Sequence, residues 1–155
     1  MKKMKCQAKH LQKRKASKAI SLPKLTAKAQ MVFNKWIRER DSKDGYFTCI
    51  SCFKTLPVES MNAGHYVPVK GGSYLRFHED NVNGECERCN GFDDFHLVGY
   101  RKHLIMKIGK KRVEWLENNR LKVYKWSKSE LEDIIKKYSI NVKNTKNGTN
   151  QNLPF

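Results

Sequence analysis

The stretch that decides the fold runs from Cys49-Ile50-Ser51-Cys52 to Cys86-Glu87-Arg88-Cys89-Asn90. Two thiolates two residues apart can both point at one tetrahedral Zn²⁺, and a second such pair closes the site. Because four sulfur ligands leave no open coordination position, the predicted zinc is structural rather than catalytic. Redox-active disulfides are the alternative, but two Cys-x-x-Cys pairs in a chain without a βαβ pattern favour metal binding.

The segment between the cysteine pairs contains one Gly-His pair and one Asp-Asn pair. Gly64-His65 precedes a β-favouring dipeptide, and Asp80-Asn81 closes a polar turn. This order predicts a strand, a loop, a second strand or extended segment over residues 74–77, and a helix that begins near Asn90. The zinc would pin the whole segment at both ends.

Several motifs carry a resemblance to known nucleases. Gly-His-Tyr, Asp-Asn-Val and Cys-x-x-Cys-Asn, in this order, resemble the HNH nucleases, whose core is the ββα-metal or His-Me finger. The succession FNKWIRERD, CISC, AGHY, LRFHEDN, CxxCN and LVGYR is similar to the NinG (Rap) family of lambda-like phages, from about Leu25 to Glu117. The resemblance implies an α+β fold, with a small zinc-pinned ββα core surrounded by three or four helices. It also implies an endonuclease specific for branched or single-strand-containing DNA, working in the cytoplasm of a phage-infected bacterium.

The same resemblance assigns catalytic residues. His65 takes the position of the general base, and a neutral imidazole can accept a proton from the water that attacks a phosphodiester. Asn81 takes the middle position, which holds the histidine's loop and ring through hydrogen bonds. Asn90 takes the last position, whose side-chain oxygen binds a catalytic Mg²⁺ or Mn²⁺. Such hard cations prefer oxygen ligands and neutralise charge on the phosphate.

Two positions depart from the HNH pattern. The other metal ligand usually stands directly before the base, where this chain has Gly64, and a lysine often stands three residues after Asn90, where this chain has Asp93. Asp94 and His96 are therefore further candidate ligands for the catalytic ion. If a helix continues beyond Asn90, the two aspartates share a face with it. The alternative is that these acids are helix-start charges favoured by the macrodipole.

A second class of function stays open because of the glycine before His65. In that class the chain is a catalytically inactive zinc-knuckle protein that binds DNA and assists recombination. His65 would then be a buried structural histidine or a zinc ligand. Its setting between the two cysteine pairs favours the general base.

The charge balance predicts a polyanionic partner. The net charge is +17, the isoelectric point is about 9.8 and the first acidic residue is Glu39. Nucleic acid is the favoured partner. Residues 1–24 are predicted to be a disordered basic arm, residues 25–140 the zinc-containing domain, and residues 141–155 a disordered polar tail. The predicted phosphate contacts are Lys13, Arg14 and Lys15 in the arm and Lys70, Arg76 and Arg101 in the domain.

Periodic apolar residues predict four helices around the core. They span Thr26–Arg40 with Thr26 as the N-cap, Leu97–Ile108, Lys110–Asn119, and a last helix opened by a capping box at Ser127–Glu130. No stretch approaches the roughly 18 apolar residues of a membrane span, so no membrane partner is expected. A reducing, intracellular location fits thiolate zinc ligands, and a homodimer is compatible with the sequence.

Overall fold

The computed structural model describes residues 20–70, 72–93 and 95–146, with residues 141–146 as backbone only. The described chain is an α+β structure with five α-helices and two small antiparallel sheets, as predicted for the class. The helices are α1 (Leu22–Arg40), α2 (Glu87–Phe92), α3 (His96–Ile108), α4 (Lys110–Asn118) and α5 (Lys128–Lys146). The strands are β1 (Ser42–Lys43), β2 (Tyr46–Thr48), β3 (Thr55–Pro57), β4 (Met61–His65) and β5 (Val82–Cys86). Lys13, Arg14, Lys15 and Asp94 lie outside the described residues.

Helix α1 begins at Leu22, so the predicted start at Thr26 is wrong. Pro23 stands in the first turn, where its missing N–H and fixed φ suit a helix start. Thr26 lies inside the helix, and its hydroxyl donates to the Leu22 carbonyl at 2.9 Å instead of capping. The helix buries the expected stripe, including Ala29, Phe33 and Ile37.

Helix α5 packs along α1 and supplies the other half of an aromatic core. The Phe33 and Tyr138 rings meet edge to face with centroids 4.8 Å apart, and Leu131 is fully buried in the same cluster. The predicted capping box is confirmed, because the Ser127 N–H donates to Glu130 Oε2 at 2.8 Å and the Glu130 N–H donates to Ser127 Oγ at 3.3 Å. The helix continues to Lys146, beyond the predicted domain boundary at residue 140.

Strands β4 and β5 form the hairpin on which the candidate site is built. They run antiparallel from Met61 opposite Cys86 to His65 opposite Val82, and α2 follows β5 directly. Helix α2 begins at Glu87 rather than near Asn90, so Cys89 lies inside it. A strand, a second antiparallel strand and a helix therefore follow one another, but the second strand is β5 rather than the predicted segment at residues 74–77.

The long connection inside this hairpin is not extended at residues 74–77, as the sequence predicted. Ser73–Leu75 form a 3₁₀ turn, and the Tyr74 N–H donates to the Lys122 carbonyl at 3.1 Å. A strand would place residues 75 and 77 on one face. The turn instead sends Leu75 into the core of α3 and α4, and Phe77 into the core of α1 and α5.

The remaining elements frame the hairpin. Strand β2 pairs with both β1 and β3 and ends immediately before Cys49. Helix α3 ends at Ile108 and is followed by Gly109, whose positive φ of 85° is a backbone conformation that glycine tolerates. Helices α3 and α4 bury Tyr100, Leu104 and Val113 against the loop after β4. None of the described helices combines the length and apolar character that spanning a bilayer requires.

Candidate functional site

The structure brings the four predicted zinc ligands together. The sulfur atoms of Cys49, Cys52, Cys86 and Cys89 all lie within 4.8 Å of one another, and all four cysteines are free thiols. Strand β2 delivers the first cysteine, β5 ends at the third, and α2 carries the fourth. Cys86 is the N-cap of α2 and Cys89 lies in its first turn, so both side chains reach the same end of the helix.

This cluster has the chemistry of a metal site. Cys49, Cys86 and Cys89 are buried, and the Cys86 N–H donates to Cys49 Sγ at 3.3 Å. Burial raises the pKa of the Cys49 thiol to about 11, so the thiolate needs a nearby cation to form at neutral pH. Backbone N–H donors to sulfur and clustered thiols are typical surroundings of a bound metal ion. The four cysteines could therefore hold a metal ion.

His65 ends β4 with its ring fixed by the backbone. Its Nε2 lies 3.0 Å from the Arg76 carbonyl oxygen, which can only accept, so Nε2 carries the proton and Nδ1 carries the lone pair of the neutral ring. Burial lowers the pKa of His65, and the nearby Arg76 charge lowers it further, although the carbonyl hydrogen bond opposes both. The ring is therefore held neutral near pH 7, with one nitrogen able to accept a proton.

Asn81 is fully buried and braces the loop that follows His65. Its Nδ2 donates to the Val67 and Leu75 carbonyls at 3.0 and 3.2 Å, and its Oδ1 accepts from the Val67 N–H at 2.8 Å. The predicted loop contact is therefore present. The predicted contact to the imidazole is not, because the ring bonds to the Arg76 carbonyl instead.

Asn90 lies in α2 and points toward Gly64. A Cβ added to Gly64 would lie 3.1 Å from Asn90 Oδ1. Asp93 does not share its helix face, because α2 ends at Phe92 and the Asp93 backbone is extended. Asp93 Oδ1 instead accepts from the Phe95 N–H at 3.0 Å.

Glu85, which the sequence did not single out, lies beside these residues. Its side chain is fully buried, and Oε1 accepts from Ser51 Oγ at 2.5 Å and lies 2.6 Å from His96 Nδ1. Among the described residues, Oε2 has no hydrogen-bond partner. His96, a predicted ligand, thus binds a carboxylate in this structure. No spacing rule separates a buried glutamate in a strand from an exposed one, so the sequence carried no signal for it.

A buried polar network holds the hairpin next to Gly64. Tyr100 Oη donates to the Gly64 carbonyl at 2.9 Å and accepts from Asn83 Nδ2 at 3.1 Å. Lys107 Nζ donates to Asp41 Oδ1 and to Asn83 Oδ1, both at 2.9 Å. Arg40, the last residue of α1, pairs with Asp41 at 2.7 Å. This network fixes the backbone directly before His65.

The predicted phosphate-binding residues within the domain differ in whether their side chains already have a partner in the protein. Lys70 is exposed. Arg76 donates to Gln30 Oε1 at 3.2 Å. Arg101 Nε donates to Glu117 Oε1 at 2.7 Å, so its charge is partly neutralised by an ion pair.

These features define a small α+β protein with a four-cysteine cluster that could hold a metal ion, next to a hairpin carrying a half-buried histidine. A sequence profile of the family described as "Bacteriophage Lambda NinG protein" matches residues 1–148. The chain belongs to the NinG family. It is 35% identical over 123 residues to "Protein ninG" of Escherichia phage lambda, covering 79% of this chain and 58% of that protein. The corresponding protein of Escherichia phage 933W is 36% identical over 123 residues, covering 79% of this chain and 59% of that protein.

The protein of Salmonella phage P22 is 34% identical over 123 residues, covering 79% of this chain and 58% of that protein. The chain thus spans less than two thirds of the length of these relatives. No solved structure matches it.

Proposed function

We propose that this chain is a metal-dependent DNA endonuclease that cuts branched or single-strand-containing recombination intermediates. The observation that carries the proposal is His65, with Nε2 tied to the Arg76 carbonyl at 3.0 Å and Nδ1 left as the basic nitrogen. The branched substrate rests on the resemblance to the NinG family alone. Because the relatives are phage proteins, the cytoplasm of an infected bacterium is the proposed location.

His65 would act as the general base. Its lowered pKa keeps the imidazole neutral, which is the form that accepts a proton from water. The hydrogen bond to the Arg76 carbonyl fixes the tautomer, and Asn81 holds the loop that carries this carbonyl. The Tyr100 hydrogen bond to the Gly64 carbonyl restrains the backbone on the other side. The chain's own contribution is thus an oriented base on a fixed backbone.

The proposed cofactors differ in role. The four cysteines would hold a structural Zn²⁺, tying β2, β5 and α2 together, as expected for four thiolates. Asn90 Oδ1 would hold a hard divalent cation, Mg²⁺ or Mn²⁺. When bound, that cation would neutralise charge on the phosphate and the departing oxygen.

DNA binding is supported by charge. The net charge of +17 is concentrated partly in the arm that contains Lys13, Arg14 and Lys15. Neutralising phosphates with such residues gives affinity that falls steeply with salt and carries little sequence preference. Arg76, whose carbonyl binds His65, and the exposed Lys70 could contact the same DNA backbone.

Gly64 supports a second candidate function, an inactive DNA-binding protein in recombination. A glycine supplies no ligand at the position where HNH nucleases carry one. Among the described residues, the four cysteines form the only cluster of three or more His, Cys, Asp or Glu ligand atoms.

A cleavage assay separates the two functions. Duplex, flap, D-loop and four-way DNAs are incubated at matched concentration with Mg²⁺, with Mn²⁺ or with EDTA. His65→Ala should lose cleavage and keep DNA affinity. His78→Ala is the matched control, because His78 is also half-buried and its Nδ1 accepts from the Asp80 N–H at 3.3 Å. Wild-type protein that binds these DNAs but cuts none of them favours the inactive protein.

A further inference from the structure

The carboxylate of Glu85 is buried with half of its bonding capacity unused. Oε1 has Ser51 Oγ and His96 Nδ1 as partners, whereas Oε2 has none among the described residues. Buried carboxylate oxygens are normally paired or bound to a cation, because leaving one unsatisfied is unfavourable. Glu85 Oε2 is therefore aimed at a place where a ligand is expected.

That place is the space above Gly64. A Cβ added to this glycine would overlap Glu85 Oε2 and would come within 3.1 Å of Asn90 Oδ1. The two oxygens thus face one small volume. Gly64 is not among the described residues with a positive φ. The need for space, rather than an unusual backbone conformation, therefore explains why residue 64 is a glycine.

The strand register explains how a side chain from β5 reaches this volume. Asn62 stands opposite Glu85, and Gly64 stands opposite Asn83. Glu85 and Gly64 are therefore diagonal neighbours on one face of the hairpin, within reach of a long side chain. A carboxylate carried by β5 fills the position that a side chain on β4 would otherwise occupy.

We infer that Glu85 and Asn90 together form the divalent-cation site, with Glu85 supplying the carboxylate that residue 64 lacks. This inference rests on the proposed nuclease function. Carboxylate and amide oxygens are the ligands that Mg²⁺ and Mn²⁺ prefer. His96 and Ser51 are positioning residues that hold Oε1 and leave Oε2 for the cation. His65 follows Gly64 in the chain, so the cation would lie beside the proposed base.

The test measures Mn²⁺ binding to the zinc-loaded full chain without DNA, by the loss of the free Mn²⁺ electron paramagnetic resonance signal. Glu85→Gln keeps the size of the side chain but removes its charge. It should weaken Mn²⁺ binding by about tenfold or more, with zinc content and melting temperature retained. The control Glu79→Gln changes a glutamate that pairs with Lys137, away from this site, and should bind Mn²⁺ like the wild type.

A transfer variant distinguishes a ligand from a merely structural Glu85–His96 pair. Gly64→Asp combined with Glu85→Ala moves the carboxylate from β5 to β4 and removes the overlap with Oε2, and the strands must shift slightly because the two Cβ atoms would lie 2.9 Å apart. It should bind Mn²⁺ more tightly than Glu85→Ala alone, which a structural role for Glu85 would not predict. His96→Ala should weaken Mn²⁺ binding less than Glu85→Gln, because His96 acts through the carboxylate.

The outcomes separate this inference from the proposed function. If the wild type cleaves DNA and Glu85→Gln binds Mn²⁺ equally well, the inference is overturned and the nuclease stands. It is also overturned if the wild type cleaves but binds no Mn²⁺ before DNA is added. If Mn²⁺ binds through Glu85 but no DNA is cut, the cation site stands and the nuclease does not. Wild type that neither binds Mn²⁺ nor cleaves overturns both.

Discussion

Replacing Asp41 by asparagine tests the buried network that holds the backbone of Gly64. The Asp41 side chain is only 10% exposed and accepts from Arg40, from Lys107 and from the Gly84 N–H at 2.8 Å. Asparagine keeps the shape but removes the negative charge. Two cations are then left in the network without their counter-charge, which is the costly way to break a buried ion pair.

The magnitude follows from this geometry. Removing one partner of a buried pair costs about 3–5 kcal/mol, and the lower end applies because the amide oxygen keeps some hydrogen bonds. For a chain of this size each kcal/mol lowers the melting temperature by roughly 2–4 °C, so Asp41→Asn should melt about 6–12 °C lower.

The pH dependence of this cost has a definite sign. Burial alone would raise the pKa of Asp41, but the hydrogen bond and charge of Arg40, with help from Lys107, hold it below its usual range. A lowered folded-state pKa gives stability that is present above the unfolded value of about 3.9 and is lost as the pH falls through the folded value. The difference between wild type and Asp41→Asn should therefore stay constant from pH 8 to about pH 5.

Thermal and urea unfolding followed by circular dichroism, with zinc in excess, measure this difference. Asp133→Asn is the control, because Asp133 is exposed on α5 and should change stability by less than about 0.5 kcal/mol. If the free energy of unfolding of Asp41→Asn is within about 0.5 kcal/mol of the wild-type value, the reasoning is refuted. The network would then contribute no net stability, and its role in fixing Gly64 would need another basis.

Four further results are expected. Cys86→Ala should lose both its zinc and its folded structure, since structural zinc contributes on the order of 10 kcal/mol; metal analysis that finds folded protein without zinc contradicts this. Deleting residues 1–22 should flatten the salt dependence of DNA binding and weaken all DNAs alike; altered preference among branched DNAs would mean that the arm recognises structure. His65→Ala should lower turnover by about 10²–10⁴-fold, without rescue by added Mg²⁺, whereas Asn90→Ala should be partly rescued. Because the pKa of His65 is lowered, wild-type cleavage should stay level down to about pH 6.5 and fall only below it.

Sequence patterns predicted those parts of the fold that depend on interactions between residues close together in the chain. The spacing of Cys86 and Cys89 is a property of one helical turn, and the Ser127–Glu130 box satisfies the N–H groups of its own helix. Neither depends on distant residues. The segment around Tyr74 could not be predicted in this way, because its conformation depends on a hydrogen bond to Lys122 in another loop.

The candidate site likewise contains residues that sequence motifs identify and residues that only the folded structure identifies. His65 and Asn81 follow from motif order, and Asn81 makes the expected contacts to the loop. Glu85 did not stand out, because only the β4–β5 register shows that it reaches the space above Gly64. Nor could the periodicity of α1 show that Arg40 pairs with Asp41 and that Asp41 also binds Lys107 of α3.

The position of the proposed zinc ligands changes how metal dependence must be tested. Glu85 directly precedes Cys86, and Asn90 directly follows Cys89. Losing the zinc would release the end of β5 and the start of α2, and would move both proposed oxygen ligands. Inhibition by EDTA therefore does not identify a catalytic ion, because removal of either metal predicts it. The informative state is protein stripped of Mg²⁺ with its zinc content unchanged. In that state, cleavage restored by Mg²⁺ assigns the lost activity to the oxygen ligands. In protein that has lost its zinc as well, cleavage that returns only after Zn²⁺ is added assigns the loss to the fold.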